Sequence, residues 1–172
     1  PHPYIAFALP LSLGFESDWE IMDIRLVDDD YPLDGICDAL NHVCPEYIRF
    51  FSAAEPEQKV GNIAFASFDI SFDDGGAVSN PLAQFLKRDS VICTKKTKKG
   101  GEKEIDLIPK IKEYSFEDAQ NTKLHIVLPA GGADNLNPEL LINAFFEQGD
   151  CNYYCYDVVR TAILDAQLKL FK

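Results

Sequence analysis

Apolar and polar positions change period several times along the chain. Residues 4–9 (YIAFAL) are an unbroken apolar run of strand length. Residues 11–18 hold Gly14 and read as a hairpin loop. Residues 19–27 alternate. Trp19, Ile21, Asp23 and Arg25 fall on one side and Glu20, Met22, Ile24 and Leu26 on the other, which suits a half-buried strand paired with the first. Asp28, Asp29, Asp30 and Pro32 end it. Leu33, Ile36, Cys37, Leu40 and Val43 then recur at helical spacing, predicting a helix over 33–44 closed by Pro45. Residues 47–54 (YIRFFSAA) read as a strand. Residues 55–61 are polar, contain Pro56 and read as a linker.

The second half opens on a long strand within 62–72, carrying Ala64, Phe65, Phe68, Ile70 and Phe72. Asp73, Asp74, Gly75 and Gly76 form a turn. Asn80, with Pro81 as first helical residue, predicts a helix to about Lys87. Residues 90–96 and 103–108 read as two strands joined by a lysine-rich turn, and Tyr114 to Phe116 as a short extension. Residues 123–128 (KLHIVL) are a strand. Asn137 followed by Pro138 caps a helix through Phe146, whose stripe is Leu140, Leu141, Ala144 and Phe145. Residues 158–164 are a final strand, and the tail is open between strand and helix.

This order predicts an α+β protein of two tandem ferredoxin-like (split βαβ) units. Residues 1–57 are the first, lacking its opening strand and helix, and residues 58–172 the second. Each unit places its helices on one sheet face. An unpaired sheet edge in the first would favour pairing with another chain, hence a homodimer of this form.

The 172 residues suffice for a real core, with 47% apolar residues, twelve Phe and seven Tyr. Charge changes the picture more than composition does. The net charge is −12, yet unevenly spread. Residues 1–57 hold twelve acids against Arg25 and Arg49, whereas residues 87–112 hold nine bases. The whole molecule repels nucleic acid while one patch attracts it. Five cysteines are an odd set without disulfide-framework density, and no apolar run reaches membrane-spanning length. A reduced cytoplasmic protein, off the membrane, is the simplest reading.

The segment HPYIAFALPLSLGFESDWEIMDIRL is similar to the signature of the bacterial radical-SAM-linked proteins. These are a domain family of unknown function, encoded beside or fused to radical S-adenosylmethionine enzymes. The similarity continues through LNHVCPEYIRF, TKKTKKGGEKEIDLIPKI, LNPELLINAFF and RTAILD. Family members carry roughly fifty further residues before His2 and Pro3, room for one strand and one helix. The resemblance implies a radical SAM partner and no established activity.

Three constellations carry candidate chemistry. Cys151-x3-Cys155 begins an iron–sulfur spacing, but position 158 is valine, and Cys37, Cys44 and Cys93 are dispersed. The thiols therefore read as packing groups, with no cluster, no zinc and no cofactor expected. Glu16, Asp18, Glu20 and Asp23 surround a hairpin. A solvated acidic surface explains them better than paired-carboxylate chemistry. Glu16, inside the similar segment, is the member singled out. Lys95, Lys96, Lys98 and Lys99 precede Gly100 and Gly101 at a turn. Such a tip can neutralise phosphates, and its ordinary role is to guard a strand edge. Phe65, Phe68, Phe72 and Tyr114 could stack on bases, although core packing accounts for them better. His2, His42 and His125 read as structural.

The leading expectation is a non-catalytic accessory or substrate-presenting module for a radical SAM enzyme, acting on RNA or a ribosome-related target. The alternative is a stand-alone RNA-binding or RNA-processing domain. A small enzyme using the acidic loop ranks third.

Overall fold

The computed structural model describes residues 4–27, 31–96, 100–117, 120–132 and 134–172. Its main sheet is built from β2 (Glu16–Ser17), β4 (Phe65–Phe72), β7 (Glu113–Glu117), β8 (Lys123–Pro129) and β9 (Tyr156–Leu164), in the order β2-β9-β4-β8-β7. Only the β2–β9 pairing is parallel. Two hairpins stand apart from it. One is β1 (Ile5–Phe7) with β3 (Met22–Ile24), the other β5 (Ile92–Lys96) with β6 (Glu102–Asp106). The helices are α1 (Asp34–Val43), α2 (Ser79–Leu86) and α3 (Pro138–Gln148). The fold is mixed α+β.

The period of two decides what each sheet face does. Ala66, Phe68, Ile70 and Phe72 of β4 join Leu124, Ile126 and Leu128 of β8 in the core, under Leu82 and Phe85 of α2 and Leu141 and Phe145 of α3. The alternate residues, among them Ser67, Asp69, Lys123 and His125, lie on the opposite face. Between Ser67 and Phe68 the β4–β9 register shifts, so Thr161 is an extra residue in β9. Its Oγ1 lies 2.8 Å from Ser67 Oγ.

Helix α3 starts where local chemistry dictates. Asn137 Oδ1 accepts from Glu139 N at 3.0 Å, and Pro138 occupies the first turn, where no donor is needed. Helix α2 departs from expectation. It begins at Ser79 with no side-chain cap, and Asn80 is not its cap. Pro81 is tolerated because first-turn N–H groups have no intrahelical acceptor anyway. The turn ahead of the helix is organised by Asp74. Its carboxylate accepts from Gly76 N (3.1 Å), Val78 N (2.5 Å), Thr122 N (2.8 Å) and Thr122 Oγ1 (2.7 Å).

Burial pushes the Asp74 carboxyl up, but hydrogen bonds from Thr122, Val78 and Gly76 outweigh it and hold the pKa below the ordinary 3.8. A depressed carboxyl stabilises the fold above its unfolded pKa, and that contribution is lost as pH falls through the folded pKa. Asp74→Ala is expected to cost about 1–2 kcal/mol near neutral pH, the loss of a cap-like carboxylate with several backbone donors. Urea unfolding of both proteins, near neutrality and again near pH 3, should show the gap shrink on acidification. A gap that widens would contradict the assignment.

Two other expectations are corrected, and the open reading of the tail is resolved. Residues 47–54 form no strand. Phe50 N and O are instead taken by the Asn41 side chain of α1, at 2.8 and 2.7 Å, so the backbone of this residue is satisfied without a sheet neighbour. The loop expected at 11–18 contains β2, which joins the main sheet across the chain. The tail turns back on itself. Asp165 Oδ1 accepts from Gln167 N and Lys169 N, Leu164 bridges Leu170, and Phe171 is buried.

Candidate functional site

The β5–β6 hairpin carries the basic stretch. Thr94 stands opposite Glu104, Lys95 opposite Lys103, and Lys96 opposite Glu102. Like charges face each other at the Lys95–Lys103 pair, which is unfavourable unless one turns away. Lys95 does turn away, and its Nζ donates to the carbonyl of Asn135. The neighbouring residue, Asp134, accepts from Lys110 Nζ at 2.6 Å. Two lysines far apart in sequence are thereby drawn to one short turn ahead of α3.

Beside them lies an open depression of about 490 Å3. Lys110, Lys112, Ile111 and Pro109 form one wall, Phe65 and Pro129 the floor, and Asp106 and Asp134 the remainder. Asp106 pins the hairpin base, accepting from Val91 N at 2.9 Å and Ile108 N at 3.3 Å. The Val91 bond is the main reason that its carboxyl lies below the ordinary value. The arrangement is a rim of two lysines and two aspartates over a small apolar floor, with Lys110 paired to Asp134.

The expected site residues divide. Lys95 is tied to the carbonyl of Asn135 and does not line the depression. Gly100 has φ +80°, a left-handed turn conformation that glycine adopts without strain, and Gly101 precedes β6. Lys98, Lys99 and the side chain of Lys96 lie outside the described residues. Glu16 is exposed on β2 opposite Val159. It occupies one edge of the sheet, and Lys112 immediately precedes β7 at the other. Four strand spacings of about 4.8 Å, ~19 Å in all, separate those strands.

The pattern of residues did not disclose a polar cluster on the sheet face opposite α2 and α3. His125 Nδ1 lies 2.8 Å from Asp69 Oδ1, and Lys123 Nζ lies 2.7 Å from Glu117 and 3.5 Å from Asp69. The hydrogen bond from Lys123 to Glu117, with both carboxylates' charge, raises the lysine pKa. Ser115 stands opposite His125 on β7. The alternation of β8 could have put Lys123 and His125 on one face, but their partners required the register.

The cysteines are free and dispersed. Burial pushes the Cys93 thiol up, with Glu147 and Asp106 adding to it, and burial does the same to Cys151. Among the described residues, no three His, Cys, Asp or Glu side chains are placed to hold a metal, and no helix is long and apolar enough to cross a membrane.

Residues 1–138 match the family model described as "Uncharacterized protein conserved in bacteria (DUF2344)". The chain belongs to this family. No curated protein and no solved structure matches it. The DUF2344 match takes in the β1–β3 ribbon, the basic hairpin and the 134–135 turn, and ends at the first residue of α3.

Proposed function

We propose that this DUF2344 chain is a non-catalytic accessory module that captures RNA by its phosphates and presents it to a radical SAM enzyme in the cytoplasm. The observation that carries the reading is the meeting of Lys95 and Lys110 on Asn135 and Asp134, beside Lys112, in a molecule of net charge −12. The radical SAM partner rests on the resemblance of the first 26 residues. A ferredoxin-like unit at 58–172 is supported by the βαββαβ order of β4, α2, β7, β8, α3 and β9, and by their sheet order β9-β4-β8-β7, with β5–β6 inserted after α2.

Recognition by charge is favoured over base stacking. Phe68 and Phe72 are 6% and 1% exposed beneath the helices, whereas Tyr114, on the same sheet face, keeps 39% of its exposure. An acidic-loop enzyme is disfavoured because Glu20 is committed to Arg160. A stand-alone RNA-binding domain would use the same lysines without the enzyme.

The test is fluorescence anisotropy with single-stranded RNA across salt concentrations. Four contacts from Lys95, Lys96, Lys98 and Lys99 give a log–log slope near −3, at about −0.7 per phosphate. Changing all four to Gln should remove most of that slope, and Lys110→Gln with Lys112→Gln should remove part of the remainder. Absence of salt-dependent binding at low ionic strength would sink the RNA reading. Loss of enzyme co-purification alone, with RNA binding unchanged, would make the hairpin a protein-docking element.

A further inference from the structure

Strand β7 stops short of the strand it pairs with. Its ladder with β8 begins at Glu113 opposite Val127, whereas β8 continues along β4 to Pro129 opposite Phe65. Lys112 N still donates to Val127 O, at 3.0 Å. The chain leaves the ladder there, and Leu128 and Pro129 have no partner in β7. The notch so formed is the open depression that reaches Asp134.

Its floor follows from the period of two. Ala66 and Leu128 belong to the core under α2 and α3, so Phe65 and Pro129 lie on the opposite face. Ala130 N donates to Ala64 O and Phe72 N to Thr122 O, so the bonded pairs of β4 and β8 fall on even-numbered residues. Pro129 therefore sits in a non-bonded pair, beyond the end of β7, where no ladder needs an N–H from it. Pro109 and Ile111 add apolar walls.

The four ionic groups at the rim are not equally free. Lys110 is held by Asp134 at 2.6 Å. Asp106 Oδ1 accepts from Val91 N and Ile108 N, which commits it to the base of the β5–β6 hairpin. Lys112 is exposed, and its side chain has no ion pair or hydrogen bond among the described residues. Apolar walls with one uncommitted cation select a ligand with an apolar body and one negative end. The volume of about 490 Å3 is that of a small-molecule site. We infer that the depression binds a small amphipathic carboxylate. Its hydrocarbon part lies against Phe65, Ile111 and Pro129, and its acid meets Lys112. The inference does not rest on RNA capture, since Lys95 lines none of the depression.

The probe is hexanoate, titrated into isotope-labelled protein. Hexylamine is its charge-reversed counterpart and butyrate its shorter homologue. Hexanoate should shift the amide resonances of Phe65, Ile111 and Lys112 saturably and leave those of Ile70 and Leu124 in place. Butyrate should bind about tenfold more weakly, because two fewer methylenes are buried. Raising salt from about 0.05 to about 0.5 M should weaken hexanoate by screening. Lys112→Gln should weaken it about fivefold or more by removing the charged donor. Unchanged Ile70 and Leu124 resonances in that variant report an intact fold. Changing Lys95, Lys96, Lys98 and Lys99 to Gln should lower RNA binding and leave hexanoate affinity as it was, which separates the two readings. Loss of hexanoate binding in that hairpin variant would place the acid on the hairpin and overturn the inference. So would equal binding of hexylamine, the absence of a saturable hexanoate shift, or an unchanged affinity in Lys112→Gln.

Discussion

Replacing Phe145 with alanine is expected to cost about 3–5 kcal/mol, a large share of the roughly 5–15 kcal/mol that holds a domain together. Phe145 is fully buried where α3 meets α2. Its ring lies 5.4 Å from that of Phe85, edge to face, and 5.2 Å from that of Phe146. The backbone ties it in as well, because Gly149 N donates to Phe145 O at 2.6 Å. A Cβ at position 149 would meet that oxygen at 2.4 Å and the ring at 2.9 Å, so Gly149 is required by this close approach. Removing the ring leaves a cavity that two helices and the sheet beneath cannot all close. Phe145→Leu, which keeps most of the volume, should cost far less, about 1 kcal/mol. Urea unfolding followed by circular dichroism and tryptophan fluorescence measures both. A loss below about 1 kcal/mol for the alanine variant would mean that α3 is not packed on α2 as described.

Breaking the Arg160–Glu20 pair from its two sides should give unequal losses. Arg160 is almost fully buried on β9, where one guanidinium nitrogen donates to Glu20 and to Leu9 O, the latter at 2.8 Å. Its Nε has no partner among the described residues, nor has the buried Trp19 Nε1. The Glu20 side chain retains 39% of its exposure. Glu20→Ala strands a buried cation and is expected to cost about 3 kcal/mol, the low end for a broken buried pair because one side is near water. Arg160→Met leaves only a carboxylate that solvent can reach and keeps most of the apolar stem, so about 1 kcal/mol or less is expected. Hydrogen exchange adds a local readout. Asp18 N, bonded to Arg160 O at 2.9 Å, and Ala8 N should lose protection in Glu20→Ala before the β4 amides do. The reverse order of costs would show that Arg160 contributes through its own packing and not through the pair.

Local interactions made parts of this protein legible from residues alone. Asn137 and Pro138 specify the start of α3 through groups two residues apart. The alternation in residues 19–25 sorts Met22 and Ile24 from Ile21 and Asp23 as the ribbon does. The hairpin at 92–106 and the core strand at 65–72 were likewise readable, since a period of two buries one face wherever a core exists. The lysine tip was readable as a charge anomaly, but its use was not. Lys95 and Lys110 both bond to the turn at 134–135, which lies more than twenty positions further along the chain.

Failures of the sequence reading follow from partners distant along the chain. Residues 47–54 have strand composition, yet a strand needs a neighbouring strand, and none pairs with them among the described residues. Glu16 and Ser17 look like loop residues until β9, more than 140 positions later, supplies an edge to pair with. Asn80 looked like the cap of α2, but the turn ahead of the helix is held by Asp74, whose bonds to Gly76 N and Val78 N are local and whose bonds to Thr122 span 48 residues. The His125–Asp69 contact and the Arg160–Glu20 pair span 56 and 140 residues. Side-chain period and capping chemistry act over one or two turns of chain, so most of the elements and the inward faces of β4, β8 and α3 were legible from residues alone. Strand register, bulge position and ion-pair partners depend on which segments become neighbours on collapse, and no local pattern encodes them.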